Sequence, residues 1–422
     1  MLSIRTRLTN GDFDGTLKYL YVDTFEAQRN KYAALADAFE GAFGMSDEAA
    51  LFSAPGRSEI GGNHTDHQLG RVLAAAVTMD TRAVVAPRTD NLVRIHSQGY
   101  TPLCVSLESL APNTGEENAS EALVRGIAER FVQTGRAIGG FDAVTASDVP
   151  KGSGLSSSAA FSILVATIFS ELYNGGRIPP VEQALASKYA ENRHFGKPSG
   201  LMDQLACAVG GFITIDFEQP EEPKIERIDC DLEALGYAVC IVNCGGNHAD
   251  LTPEYAAVTR EMGDVARFFG KSVLREVEEG AFYASLGQLR QVVSDRALLR
   301  AMHFFGDNAR VPEQADALRK KDIETFRLLM NESGRSSFMQ LQNVCPTDAR
   351  ERGLALALAL SERVLGNRGA WRVHGGGFAG TIQALVPLNR VEAYRAEMER
   401  VFGLGCCYRF AVRPVGGMKV GS

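Results

Sequence analysis

The spacing of apolar positions divides the chain into helical and extended stretches. In DTFEAQRNKYAALADAFEGAFG (23–44), Phe25, Tyr32, Leu35, Phe39 and Phe43 recur at helical spacing, so the first fifty residues are predicted to be rich in helix. Short apolar runs follow: LFSAPG (51–56), VLAAAVTMDTRAVVAPR (72–88), LVRIHSQ (92–98) and, as a further candidate, TPLCVSLESL (101–110). Their length and composition predict strands. APNTGEENAS (111–120) is polar and loop-like, and EALVRGIAERFVQTGR (121–136) has the period of an amphipathic helix. GFDAVTASDVP (140–150) predicts a strand running into a glycine loop, with AAFSILVATIFSELYNG (159–175) as the helix that leaves it. In the second half, GGFITIDFE (210–218) and YAVCIVNCG (237–245) are strand-like. TPEYAAVTREMGDVARFFG (252–270) and DIETFRLLMNESGRSSFMQL (322–341) are helix-like, and GTIQALVP (380–387), VEAYRAEMERVFGLG (391–405) and CYRFAVRPVGG (407–417) read strand, helix, strand. The strands cluster instead of alternating strictly with helices, which favours an α+β fold. A change of domain is expected near residue 190.

Composition narrows the function. With 422 residues, 45% of them hydrophobic, the chain can bury a large core and is expected to form two domains. A net charge of −7, a pI near 5.7 and the absence of any Lys/Arg block argue against a nucleic-acid partner. The opening MLSIRTRLTNGDFDG lacks the apolar core of a secretory leader, and no uncharged run approaches the ~20 residues of a membrane helix. GLALALALSERV (353–364), the most apolar stretch, suits a buried soluble helix. The eight cysteines form no C-x-x-C pair, and Cys406 and Cys407 are adjacent; they read as reduced thiols of a cytoplasmic enzyme, ahead of disulfides or structural zinc.

The most informative segment is DVPKGSGLSSSAAFSILVA (148–166). Gly152 and Gly154 permit turns that a Cβ would forbid, and a helix opening after them offers unpaired N–H groups and a positive dipole end to an anion. Ser156, Ser157 and Ser158 add hydroxyls; an ordinary serine cap needs only one serine and no second glycine. The Walker pattern is absent here, and it fails at GDVARFFGKS, where Val265 stands in place of glycine. A G-x-S-x-G nucleophile elbow is absent as well. GGGFAG satisfies G-x-G-x-x-G with Gly375, Gly377 and Gly380, yet a strand-like TIQALV follows where a dinucleotide fold requires a helix. GRSEIGGNHTDHQLG (56–70) places His64 and His67 around Asp66; read alone, it admits a metal site, an acid/base pair or a pocket for a polar small molecule.

Residues 148–166 resemble the P-x-G-x-G-L-S-S-S-[SA] phosphate-binding motif of the GHMP kinases. APGRSEIGGNHTDHQLGRVLAAAV (54–77) is similar to the galactokinase signature of that family, AENRHFGKPSGLMDQ (190–204) to its Gly-x-Met-Asp-Gln block, and RVHGGGFAGTIQALV (372–386) to its third glycine motif. The four blocks stand in the family's order and cover most of the chain. The resemblance implies a two-lobe α+β GHMP kinase fold. Residues 1–190 would form a ribosomal-protein-S5-like N-terminal lobe to which a strand at about 405–422 returns, and residues 191–404 a ferredoxin-like C-terminal lobe.

It further implies ATP- and Mg2+-dependent phosphorylation of the anomeric hydroxyl of a hexose by a monomer. D-galactose is the first substrate to consider, with galacturonate or an N-acetylhexosamine as alternatives. Asp203 would be the base and Arg57 its cationic neighbour. Gly152, Ser153, Gly154, Leu155, Ser156, Ser157 and Ser158 would cradle ATP, and Ser158 and Glu191 would hold the metal. Asn63, His64, Asp66, Gly200 and Tyr255 would contact the sugar, so 56–70 is best read as a sugar pocket. A non-catalytic sugar and ATP sensor is the rival from another class, and the intact GLSSSAA loop with Arg57 and Asp203 speaks against it. The chain departs from the family pattern at Asn63 (for Glu), His67 (for Tyr), His374 (for Thr), Ala379 (for Gly) and Thr381 (for Cys), which bears on sugar identity more than on phosphoryl transfer.

Overall fold

The computed structural model describes residues 3–21, 24–150, 153–197, 199–246, 251–348 and 350–421. Three helices open the chain, α1 (Ile4–Asn10), α2 (Asp14–Tyr21) and α3 (Phe25–Phe43), followed by two long strands, β1 (Ala50–Gly61) and β2 (Arg71–Pro87), with the 56–70 stretch at their junction. Next come β3 (Leu92–Ser97), β4 (Leu103–Ser106), α4 (Ser120–Gln133), β5 (Phe141–Ser147), α5 (Ser157–Asn174), α6 (Pro180–Ala190), α7 (Met202–Val209), β6 (Phe212–Asp216) and β7 (Lys224–Ile228). The remainder comprises β8 (Tyr237–Asn243), α8 (Thr252–Phe268), α9 (Glu279–Ala284), α10 (Leu286–Leu289), α11 (Asp295–Arg319), α12 (Ile323–Ser336), α13 (Gly353–Leu365), β9 (Ala370–Val373), β10 (Thr381–Pro387), α14 (Val391–Phe402), β11 (Cys407–Phe410) and β12 (Met418–Val420).

Two sheets result. The first runs β12-β1-β2-β5-β3-β4, with β6 and β7 extending from the early part of β2; β3 and β5 are parallel and the other pairs antiparallel. The second is the antiparallel set β11-β8-β10-β9. This is the α+β arrangement that the strand clustering predicts. The sheet changes between Ile228 and Tyr237, whereas residue 190 ends α6, which packs on the first sheet's helices. The C-terminal segment divides: Cys407–Phe410 pairs with β8, and Met418–Val420 returns to β1.

Every residue of β1 is buried, because both faces of the first sheet are covered. Ala50, Phe52 and Ala54 point toward α4–α7, while Leu51 joins Leu17, Tyr32 and Phe39 of the N-terminal helices on the other face. A third cluster, with Ile60, Leu73, Leu155, Ile241, Phe326 and Leu385, fastens the sheets together. It sits beside the phosphate-loop candidate, so the site is mounted on the junction of the two lobes.

The run LFSAPG does not end at its glycine. β1 continues to Gly61 through a register shift between Pro55 and Arg57, and a bulge accommodates the Pro-Gly pair inside a strand. α11, the longest helix described, lies outside the stretches that the apolar period marks, because Gly306, Asp307, Asn308 and Pro312 interrupt its pattern.

Phe52 is fully buried at the centre of the first sheet, so Phe52→Ala is expected to lower unfolding free energy by about 3–5 kcal/mol, read from the denaturant midpoint; a loss below about 1 kcal/mol contradicts this packing.

Candidate active site

Arg57 stands just after the β1 bulge. An added Cβ on Gly56 would lie 2.7 Å from the Leu155 carbonyl, so glycine is what lets the phosphate loop lie against the strand, where Arg57 N donates to the same carbonyl at 3.0 Å. The Arg57 residue is only 8% exposed. Its Nε donates to Asp203 Oδ1 at 2.7 Å, its Nη2 lies 2.5 Å from Oδ2, and its Nη1 donates to the Gly154 carbonyl. Asp203, in the first turn of α7, also accepts from Ser156 Oγ at 2.7 Å, and its side chain keeps 30% of its surface open. Burial pushes this carboxyl up, but the Arg57 charge and the hydrogen bonds from Ser156 and Arg57 outweigh it and hold it below the usual carboxylate range. Burial alone would lower the Arg57 guanidinium; the Asp203 charge raises it instead.

Ser156 caps α5 in the left-handed region, φ 59° and ψ 66°, a conformation costing a non-glycine residue roughly 1–2 kcal/mol. That turn aims its hydroxyl at Asp203. The first helical bond runs from Ala160 N to Ser156 O at 3.1 Å, so the amides ahead of it lack intrahelical acceptors. Ser157 and Ser158 line a cavity of about 730 Å³ at this helix end, together with Ser97, Gln98, Tyr100, Leu103, Thr145, Phe161 and Phe195. Leu155 and Ser153 are buried and anchor the loop: Leu155 sits in the core between the sheets, and Ser153 Oγ donates to the Pro150 carbonyl at 2.7 Å. Gly152 lies outside the described residues.

Glu191 opens a π turn (Glu191–Phe195) after α6; it is buried and accepts from Gln204 Nε2 at 2.9 Å. A hydroxyl and a carboxylate are hard oxygen donors of the kind Mg2+ takes alongside phosphate and water. Among the described residues no group of three or more His, Cys, Asp or Glu is placed to hold a metal by itself. Ser158 and Glu191 are donors of the kind that would complete the coordination of a metal brought by a nucleotide.

Gly200, just ahead of α7, abuts Asp66: a Cβ at Gly200 would lie 3.2 Å from Asp66 Oδ2. Asp66 is half-buried in the turn at the β1–β2 junction, and no described side chain hydrogen-bonds its carboxylate. His64, at φ 57°, donates from Nε2 to the Gly376 carbonyl at 2.9 Å, and Tyr255 donates to the Gly377 carbonyl at 2.9 Å. Both thus hold the third glycine motif at the pocket.

Asn63 is placed differently. Its amide donates to Glu59 Oε1 at 3.0 Å and to the Gly375 carbonyl at 2.8 Å, and its Oδ1 accepts from Ser337 Oγ at 3.3 Å and Asn343 Nδ2 at 2.9 Å. Those bonds fill the hydrogen-bonding capacity of an asparagine side chain. It ties β1 to the second lobe and has no polar group left for a ligand. Burial pushes the His67 imidazole down to about 4, so it is neutral near pH 7.

Two family models match: the galactokinase galactose-binding signature over residues 37–87 and the GHMP kinase N-terminal domain over residues 122–211. The fold is similar to that of Lactococcus lactis galactokinase complexed with galactose, at a TM-score of 0.78 and 24% identity, covering 92% of this chain and 100% of that one. It is also similar to Methanococcus jannaschii mevalonate kinase, at 0.61 and 16% identity over 87% and 99% of the chains. A D-glycero-D-manno-heptose 1-phosphate kinase from Bacteroides thetaiotaomicron matches at 0.58 and 15% identity over 88% and 98%. The two family-model matches, together with the shared fold, support a galactokinase-like sugar kinase enzyme.

The kinase contains site residues that the sequence did not mark. Tyr100, Leu103, Phe161 and Phe195 wall the large cavity but come from the β3–β4 loop, an edge strand, a helix and a π turn, with no shared motif. Glu59 and Arg372, 2.8 Å apart and both buried, bridge β1 and β9 behind Asn63; only their distance in sequence concealed them.

In the kinase, the Asp203 contribution to stability is present above the ordinary carboxylate pKa and is lost as pH falls through its lowered native value. Arg57→Met leaves burial without its counterweight, so the Asp203 carboxyl moves up. The acid limb of the kcat/KM profile is expected to shift toward neutral pH while turnover falls roughly 100-fold; an unmoved limb contradicts the pairing.

Proposed function

We propose that the kinase transfers the γ-phosphoryl group of ATP to the anomeric hydroxyl of D-galactose, giving galactose 1-phosphate. The carrying observation is the Asp203 carboxylate, held by Arg57 and by Ser156 at the start of α5, in the helix that follows Gly200, which itself abuts Asp66. On this reading the nucleotide lies along the cavity at the start of α5, with its phosphates on the loop amides and its base against the apolar wall around Leu103 and Phe161. The sugar lies beside Asp66, whose carboxylate can accept from two adjacent hydroxyls.

Phosphoryl transfer passes through a loose, highly charged transition state, so positioning and charge stabilisation dominate. Asp203 is a weak base in the ground state because its pKa is held low. It orients the anomeric hydroxyl and accepts its proton as the new P–O bond acidifies that oxygen. Arg57 keeps the carboxylate ionised and counters charge at the transferring group. Ser158 and Glu191 would hold Mg2+ together with nucleotide oxygens, and the ion would supply neutralisation of the phosphate charge.

One observation favours a second sugar. Residue 63 is a neutral amide and the Glu59 charge beside it is balanced by Arg372, so this part of the signature adds no net negative charge that would repel a carboxylate. A hexose carrying a C6 carboxylate, galacturonate, is thus the alternative substrate.

An ATP-consumption screen over galactose, glucose, N-acetylgalactosamine and galacturonate tests the reading. Galactose is expected to support turnover at least ~10-fold above glucose, because a site built around one hydroxyl rejects its epimer; activity on galacturonate alone favours the alternative. Asp203→Asn is expected to abolish turnover while sugar and ATP binding persist. Undiminished turnover removes the base, and turnover with no sugar tested leaves the sensor reading.

A further inference from the structure

We propose that His374 is a positioning residue: it fastens the phosphate loop to the second-lobe sheet and thereby sets nucleotide affinity. The proposal rests on the kinase reading of that loop.

His374 follows β9, opposite the loop, and is buried. An added Cβ at Gly154 would lie 2.9 Å from its Nδ1, so the ring packs directly against the loop glycine. Both ring nitrogens are engaged, Nδ1 with Thr381 Oγ1 at 3.1 Å and Nε2 with Ser58 Oγ at 3.0 Å. Thr381 Oγ1 in turn donates to the Ser153 carbonyl at 3.2 Å, and Gln383 Nε2 donates to Ser58 Oγ at 2.6 Å.

These contacts admit one direction. The Thr381 hydroxyl has a single proton and gives it to Ser153, so it accepts from His374, and Nδ1 carries the hydrogen. Nε2 is then bare and accepts from Ser58, whose oxygen in turn accepts from Gln383. The result is a one-way chain, Gln383 to Ser58 to His374 to Thr381 to the Ser153 carbonyl, crossing from β10 through β1 to the loop. It requires a neutral imidazole; burial, with the Arg57 and Arg372 cations nearby, pushes this one down to about 3.

Arg57 holds the same turn through the Gly154 carbonyl. The loop is therefore clamped between an arginine that also fixes Asp203 and a histidine that touches no reacting group. Losing the histidine frees the loop on one side only, so it costs nucleotide binding and leaves sugar binding in place.

The asparagine amide nitrogen overlays imidazole Nδ1 and that of glutamine overlays Nε2, so the two variants separate hydrogen bonding to Thr381 from mere volume. Calorimetric titration of ATP, and separately of galactose, is expected to show His374→Gln and His374→Ala weakened at least ~10-fold for ATP and within about 2-fold for galactose. His374→Asn is expected to stay within about 3-fold of wild type for ATP. Thr381→Val, which removes the relay hydroxyl and keeps His374, is expected to match the glutamine variant and decides the matter if the alanine variant does not fold. ATP binding by His374→Gln equal to that of His374→Asn, or parallel loss of ATP and galactose, overturns the proposal. Failure of the wild-type protein to bind ATP overturns the kinase reading and the proposal together.

Discussion

A buried guanidinium is the constraint around which this molecule is organised. Arg57 enters the interior at the end of a register shift in β1, where an ion of either sign is costly unless it is paired and hydrogen-bonded. Asp203 and the Gly154 carbonyl supply those partners from two other segments of the chain. One cation thereby fixes both the carboxylate and the loop at a single distance, and it does so through the core shared by the two sheets. Removing either charge leaves the other stranded, which ties the ionisation of Asp203 to the integrity of the cleft.

The same logic recurs one layer behind. Glu59 pairs with Arg372, and Asn63 uses its whole amide to join Glu59, the third glycine motif and the second-lobe residues Ser337 and Asn343. With the Asn63 amide fully engaged, this buried network favours one arrangement of the lobes, since any shift strands the groups it pairs. On the proposed reading, recognition of the sugar falls to groups without a hydrogen-bonding side chain among the described residues, chiefly the Asp66 carboxylate. Gly376 of the third motif is required by a close approach of its own: a Cβ there would meet the Tyr255 ring at 2.5 Å.

Much of the fold was legible from periodicity, because strands buried on both faces and helices with one apolar stripe leave distinct patterns. β1 was truncated in that reading, since Pro-Gly ordinarily ends a strand and the bulge that absorbs it depends on β2. α11 was concealed by the polar and proline positions in its interior. Within the site, the glycine-serine loop announced an anion by its own chemistry, but the meeting of Arg57 with Asp203 came only through family resemblance. Residue spacing carries no information on a contact made through the tertiary fold. Asn63 marks the limit of resemblance itself: its position in the signature suggests a ligand contact, whereas its partners, some of them in the distant second lobe, engage all of it.

The central claim is that one carboxylate, held by Arg57, meets the reacting oxygen of a sugar at the mouth of the phosphate loop. A crystal structure of the protein with galactose, ADP, Mg2+ and an aluminium fluoride mimic of the transferring group tests it most directly. The account requires an Asp203 oxygen within hydrogen-bonding distance of the anomeric oxygen, in line with the mimic, while Arg57 keeps its contact with the Gly154 carbonyl. A sugar whose anomeric oxygen turns away from Asp203, with the mimic seated elsewhere in the cleft, would contradict it.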